Sequence, residues 1–161
     1  MKYFFLIFTL FSVVLSGCEK DQNRKMLNGF FKYSVDGTET VINDEVGFND
    51  NTFNCSIKGD TSLIINVSNL YEGAGFVIDG PIKDSTYTLD STNKAYYTNP
   101  KDLKRYYTTN QYTGTLTIKK STFEAKTLLY TLQGSFSFHA VDTLSGKNFN
   151  ITNGSFLMEQ K

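Results

Sequence analysis

The chain has little of what most catalytic and metal sites are built from. Its 161 residues include one histidine, two cysteines, two prolines and no tryptophan. A zinc site needs several His or Cys ligands, and a hydrolase triad needs a histidine placed between a carboxylate and a Ser or Cys. Sixteen basic residues balance sixteen acidic ones, so no excess positive charge is available for nucleic acid. We therefore expect neither an enzyme nor a nucleic-acid-binding protein, and no metal or cofactor.

The strand pattern separates the two side chains best suited to acid–base or nucleophilic chemistry. Cys55 shares a face with Phe53 and Ile57 and is expected in the core, where a thiol is a poor nucleophile. His139 alternates to the outward face of another strand, so a Cys–His pair is not expected. The oxygen-rich stretch 43–51 does not match the spacing of an EF-hand, and we expect a solvated loop there. Two of the many acidic residues could still meet, which keeps a hydrolase as an alternative.

The first eighteen residues have the layout of a bacterial lipoprotein signal. Met1 and Lys2 give a positive start, residues 3–15 form an apolar run, and Leu15-Ser16-Gly17-Cys18 matches a lipobox. A membrane-spanning helix needs about 20 apolar residues, and this run ends earlier. Cys18 is therefore the predicted lipidation site, through which acyl chains anchor the protein to a membrane.

This signal divides the chain into three parts. We predict a signal peptide over residues 1–17, a lipidated Cys18 with a flexible polar tether over residues 18–28, and a single β domain over residues 29–161. The expected location is the cell envelope, at the outer membrane. Glu19 and Asp21 resemble a surface-export signal but equally suit a soluble linker, so the periplasmic face and the cell surface both remain open.

The part after Cys18 is rich in residues that favour strands and turns. It contains nine tyrosines, ten phenylalanines and eleven glycines. Alternating segments between turn signals predict about nine or ten short strands and no major helix. Successive hairpins form an antiparallel sheet, and a sheet of this many strands must curl or split. The predicted fold is all-β, an antiparallel β-sandwich or flattened barrel.

Parity along the last strands predicts a specific register. Asp36-Gly37 is a strong signal for a tight hairpin turn. Near the C-terminus, Ala140 should lie opposite Phe149. Phe156 then has the wrong parity for the inward face unless one extra residue is accommodated, so we predict a bulge at Asn153-Gly154. Gly134 on an inward face suggests a sharp bend.

Residues 94–112 interrupt the strand pattern and combine tyrosine with positive charge. Tyrosine gives rigid, amphipathic contact area and is favoured at binding surfaces. The alternative is that these rings fill the end of the barrel or cover a sheet edge. Asn99-Pro100 could also begin a short helical turn through residues 103–105. The candidate ligand-binding residues are Tyr96, Tyr97, Lys104, Arg105, Tyr106 and Tyr107.

Three segments resemble a known family. They are Tyr-Thr-Gly-Thr-Leu-Thr-Ile at 112–118, Gly-Ser-Phe-Ser-Phe-His-Ala at 134–140 and Ile-Thr-Asn-Gly-Ser-Phe at 151–156. Together with the lipobox, they are similar to small uncharacterised lipoproteins of Gram-negative bacteria whose domain has no known function. The resemblance implies a β fold and an envelope location, and it implies no activity.

These observations favour a cell-envelope lipoprotein that acts as a non-enzymatic binding or interaction module. Its contact surface would be the tyrosine-rich segment, and its partner an envelope protein or a glycan. A lipocalin-like barrel holding a small apolar ligand is one alternative. An envelope hydrolase that uses acidic residues is the other.

Overall fold

The computed structural model describes residues 28–43, 52–58, 62–124 and 129–159, with side chains for residues 29–43, 62–122 and 131–159. This part of the chain forms eleven strands. It contains no helix that is long and apolar enough to cross a membrane. Cys18, the acidic loop after Asn43 and the side chain of Cys55 lie outside the described residues. The strands are β1 (Asn28–Val35), β2 (Thr38–Asn43), β3 (Thr52–Lys58), β4 (Ser62–Ser68), β5 (Gly73–Asp79), β6 (Ser85–Leu89), β7 (Lys94–Thr98), β8 (Arg105–Tyr107), β9 (Gly114–Glu124), β10 (Leu129–Val141) and β11 (Asn148–Glu159).

All paired strands are antiparallel and belong to one sheet, which confirms the predicted all-β class. The main path runs β2-β1-β11-β10-β8-β7-β5-β4-β3. The long strand β10 pairs with β11 along one edge. Along its other edge it pairs with β9, which carries β6, and further on with β8 at Val141. The sheet therefore divides at β10 into two arms, as in a sandwich or flattened barrel.

The predicted hairpin turn at Asp36-Gly37 is present. Both residues have positive φ, 48° at Asp36 and 88° at Gly37. A two-residue turn of this kind matches the twist of the flanking strands, and glycine adopts it without steric cost. The turn joins β1 to β2, and Val35 pairs directly with Thr38 across it.

The predicted register and bulge near the C-terminus are also confirmed. Ala140 lies opposite Phe149, and the β10–β11 pairing shifts between Phe136 and Phe138. The left-handed residue is Asn153, with φ of 52°, rather than Gly154. Gly154 instead lies against the Phe136 ring, where a Cβ would come within 2.4 Å of Cδ2. The bulge returns the end of β11 to the inward face.

Aromatic rings from both sides of the curled sheet fill the space between them. Phe31 of β1 stacks on Phe136 of β10 at a centroid distance of 4.8 Å, and Phe76 of β5 meets Phe136 edge-on at 4.9 Å. Phe156 completes the cluster, and all four side chains are buried. These rings occupy the interior that a lipocalin-type ligand would need, so the packing weighs against that alternative.

The structure differs from the sequence prediction mainly between residues 90 and 112. The segment contains two short strands, β7 and β8, which raise the count above the nine or ten expected. The chain between them makes the single turn suggested at Asn99-Pro100, in which the Asn99 side chain accepts from the Lys101 N–H at 3.3 Å. The turn ends at Leu103, where φ is 55°, and does not continue through residue 105, which begins β8. The Asn99 N–H donates to the Lys104 carbonyl, and the Leu103 N–H donates to the Asn99 carbonyl. Because each of these strands is five residues or fewer, their alternation is too brief to recognise in the sequence.

Candidate functional site at one end of the sheet

The tyrosine pairs of β7 and β8 divide between the two faces of the sheet. Tyr97 and Tyr106 point into the core and are almost completely buried. Tyr96 and Tyr107 lie on the outer face, where Tyr107 remains 43% exposed. Successive side chains of a strand point to opposite faces, so neighbouring tyrosines have different surroundings. Tyr97 and Tyr106 are therefore core residues, whereas Tyr96 and Tyr107 lie on the face where a ligand could be contacted.

Tyr96 is mostly covered although it faces outward. Its ring lies over Gly75, where a Cβ would come within 2.6 Å of the Tyr96 hydroxyl. That hydroxyl donates a hydrogen bond to Asn66, and the Arg105 guanidinium lies 4.7 Å above the ring. Burial raises the pKa of Tyr96 to about 12, with the Arg105 charge acting in the opposite direction. The exposed part of this face is therefore Arg105 with Tyr107.

Four hairpin turns meet at one end of the sheet, and we call this the hairpin end. They are the turns at Asp36–Gly37, Asn69–Glu72, Asn99–Lys104 and Asp142–Lys147. Strand pairing places them together: Gly73 pairs with Thr98, which in turn pairs with Arg105. The Asp36 N–H donates to the Asn150 carbonyl, which brings the first turn beside the last one.

The turns Asn99–Lys104 and Asp142–Lys147 are joined by side chains. Lys147 Nζ and the Tyr106 hydroxyl both donate to Asp102 Oδ2 at 2.7 Å. The bond from Lys147, followed by that from Tyr106, holds the pKa of the Asp102 carboxyl well below its usual range. The same ion pair raises the pKa of Lys147. This network fixes the two turns relative to each other, and a carboxyl with a lowered pKa is unsuited to act as a general acid.

The turns of the hairpin end expose large apolar side chains to solvent. Leu144 is 98% exposed and Leu103 is 62% exposed, and Leu70 and Tyr71 project from the Asn69–Glu72 turn. Sequence analysis identified none of the three leucines. The signal available was a large apolar residue inside a turn rich in Asn or Asp, where a polar residue would be ordinary.

The other residues singled out in the sequence lie on the surface. The exposed side chains Leu70, Tyr71, Leu103 and Leu144 are called the apolar tips below. Lys104 and Arg105 are exposed beside them, and His139 is exposed on β10, as its parity predicted. Within the described residues, no group of three or more His, Cys, Asp or Glu side chains is close enough to hold a metal ion. The hairpin end therefore presents an exposed surface, and hydrogen bonds hold two of its turns in place.

Comparison with known families matches residues 36–158 to a family model described as a domain of unknown function, DUF6252. The chain belongs to the DUF6252 family. The matched span of the DUF6252 domain runs from the β1–β2 turn to the end of β11 and contains the whole hairpin end. No curated protein and no solved structure matches the chain.

Proposed function

We propose that this DUF6252 domain is a non-enzymatic binding module of the bacterial cell envelope and that it contacts a protein partner through the hairpin end. The observation that carries the proposal is the exposure of Leu70, Tyr71, Leu103 and Leu144 on neighbouring turns. Single exposed apolar residues are common, but a group of them at one end of a domain is typical of an interaction site.

The turns that carry these side chains are held in place, which favours recognition over random exposure. Asn69 Oδ1 accepts hydrogen bonds from the Tyr71 and Glu72 N–H groups at 3.0 and 2.7 Å. Asp142 Oδ1 likewise accepts from the Leu144 N–H at 3.0 Å. A surface that is already ordered loses little conformational entropy on binding, so more of the contact energy appears as affinity.

The position of β1 supports an envelope role for this surface. Asn28, the first residue of β1, pairs with Glu159 at the opposite end of the sheet from the Asp36–Gly37 turn. A lipid anchor at Cys18 would therefore enter the domain at the end remote from the apolar tips. In that arrangement the hairpin end is the part of the domain farthest from the point of attachment, which leaves it accessible to a partner.

Site-specific photocrosslinking in cells tests the proposal. A photoreactive amino acid replaces Leu103 or Leu144 in the full chain, and Thr122, which is exposed toward the opposite end of the sheet, serves as the matched control position. We expect one discrete crosslinked protein from both hairpin-end positions and none from Thr122. Equal crosslinking from Thr122, or no product from either leucine position, would contradict the proposal.

A second variant separates binding from folding. With the photoreactive residue at Tyr71, the double substitution Leu103→Ser and Leu144→Ser should abolish the crosslink. The melting temperature should be nearly unchanged, because exposed substitutions usually alter stability by no more than about 0.5 kcal/mol.

A further inference from the structure

A polar cluster at the hairpin end lies between the β1–β2 hairpin and the Asn69–Glu72 turn. Glu72 Oε1 accepts hydrogen bonds from the Thr40 Oγ1 and Tyr97 hydroxyl groups, both at 3.2 Å. Thr40 belongs to β2 and Tyr97 to β7, so donors from two separate strands hold one carboxylate. The Glu72 side chain is thereby fixed in a half-buried position.

A buried hydroxyl is directed toward this carboxylate. The side chain of Tyr33 is 0% exposed, and its hydroxyl forms no hydrogen bond of normal geometry with any described residue. Burial raises the pKa of Tyr33 far above its ordinary value, and the nearby Glu72 charge raises it further. Most buried polar groups in proteins have a hydrogen-bond partner, and the contact of this phenol with Glu72 is too poor in geometry to be a full one, so the phenol oxygen keeps unused hydrogen-bonding capacity.

The charges of Glu72, Asp36 and Asp102, which act on the tyrosines of this cluster, are negative. The ion pairs within the described residues are Lys32–Glu39 and Lys147–Asp102, and neither involves Glu72. Burial raises the pKa of Tyr97, and the charges of Glu72, Asp36 and Asp102 raise it further. Glu72 therefore accepts hydrogen bonds from hydroxyl groups and forms no ion pair with a described residue.

We propose that Glu72, with the hydroxyl oxygens of Tyr33, Tyr97 and Thr40, binds a primary ammonium group carried by a ligand. An ammonium has three N–H donors and no acceptor, and the cluster supplies a carboxylate with hydroxyl lone pairs around it. A divalent metal is less suited, because one carboxylate alone carries the charge here. This site stands on its own geometry and does not require the apolar tips to have a partner.

The experiment uses the purified full chain in detergent, labelled with ¹³C on its tyrosine rings, and n-butylammonium chloride as the probe. We expect saturable chemical-shift changes at Tyr33 and Tyr97, with millimolar affinity, and none with tetramethylammonium, which has no N–H donor. Glu72→Gln keeps the acceptor for Thr40 and Tyr97 but removes the charge, and it should weaken binding by at least about tenfold. Glu39→Gln, at an exposed acidic position, is the matched control and should bind normally.

Tyr33→Phe provides a test that does not depend on the Glu72 variant folding. It removes only the hydroxyl, so the domain should keep its melting temperature and lose several-fold in butylammonium affinity. A lysine-containing tripeptide and glucosamine, compared as probes, identify which carrier of the ammonium the site prefers.

Equal binding of tetramethylammonium, unchanged binding by both variants, or tighter binding of Ca²⁺ at the same tyrosines would each overturn the proposal. The photocrosslinking experiment uses other residues, so failure of one proposal is distinguishable from failure of the other.

Discussion

Four tyrosines of the described chain hold their phenol protons more tightly than a free tyrosine does. Burial is the main cause at Tyr33, Tyr96, Tyr97 and Tyr106. Glu72 adds to it at Tyr33 and Tyr97, and the hydrogen bond to Asp102 adds to it at Tyr106. Since the folded state disfavours the phenolate at each position, ionisation of these rings is linked to unfolding.

An alkaline titration should therefore remain incomplete while the domain is folded. In the unfolded chain these phenols ionise near pH 10, whereas in the folded state their pKa values are raised, to about 12 at Tyr96. Their contribution to stability is thus complete below about pH 10 and is lost as the pH rises through the folded-state values. Absorbance at 295 nm at about pH 11 should show at least about three fewer ionised tyrosines than in guanidinium chloride, from Tyr33, Tyr96 and Tyr97, and Tyr96→Phe should reduce that difference by one. A complete titration with the fold retained would contradict this assignment.

At the residue scale, the burial of the individual tyrosines could not be predicted from the sequence. The inward positions of Phe136 and Phe138 follow from a long alternation in β10, and the structure confirms them. No such pattern distinguishes Tyr96 from Tyr97, because a tyrosine suits both a core and a surface. Tyr96 is covered because Gly75, on the neighbouring strand, leaves room for its ring. A contact between separate strands of this kind is not visible in local sequence.

At the scale of the element, β11 shows how much parity alone can predict. Phe156 would fall on the outward face of β11 unless one extra residue were accommodated, which predicts the bulge. The shift of the β10–β11 register between Phe136 and Phe138 confirms it. The pattern does not say which residue takes the left-handed conformation. Packing decides this, because the Phe136 ring lies against Gly154 and the positive φ falls to the exposed Asn153.

The bulge predicts a contrast between two substitutions at Asn153. Alanine should destabilise the domain by about 1 kcal/mol, because a side chain other than Asn or Asp is strained at positive φ. Glycine should change stability by no more than about 0.5 kcal/mol, because it adopts this conformation freely. The free energy of unfolding from urea titration measures both, with glycine as the control for loss of the amide. Equal values for the two variants would show that positive φ at this position carries no strain.

At the scale of the whole molecule, the fold places the four turns of the hairpin end opposite the end at which β1 begins. The sequence predicts the antiparallel class because its turn signals are local, but it does not predict that four turns share one end. That arrangement depends on the order of the strands, in which β8 joins β10 to β7. The exposed leucines lie on turns that come together only through folding, so local sequence does not reveal that they share one end of the sheet.

Substitution of Cys18 tests the orientation that links these two ends to a membrane. A tether of about ten residues spans up to about 35 Å when extended, and it reaches the sheet at Asn28, opposite the hairpin end. If acyl chains on Cys18 provide the anchor, Cys18→Ser should move the protein, once the signal segment is removed, from the membrane fraction to the soluble envelope fraction, because the acyl chains supply the lipid affinity. Cys55→Ser is the matched control and should leave the protein with the membranes. A Cys18→Ser protein that still sediments with membranes in high salt would remove the basis for an orientation in which the apolar tips point away from the lipid.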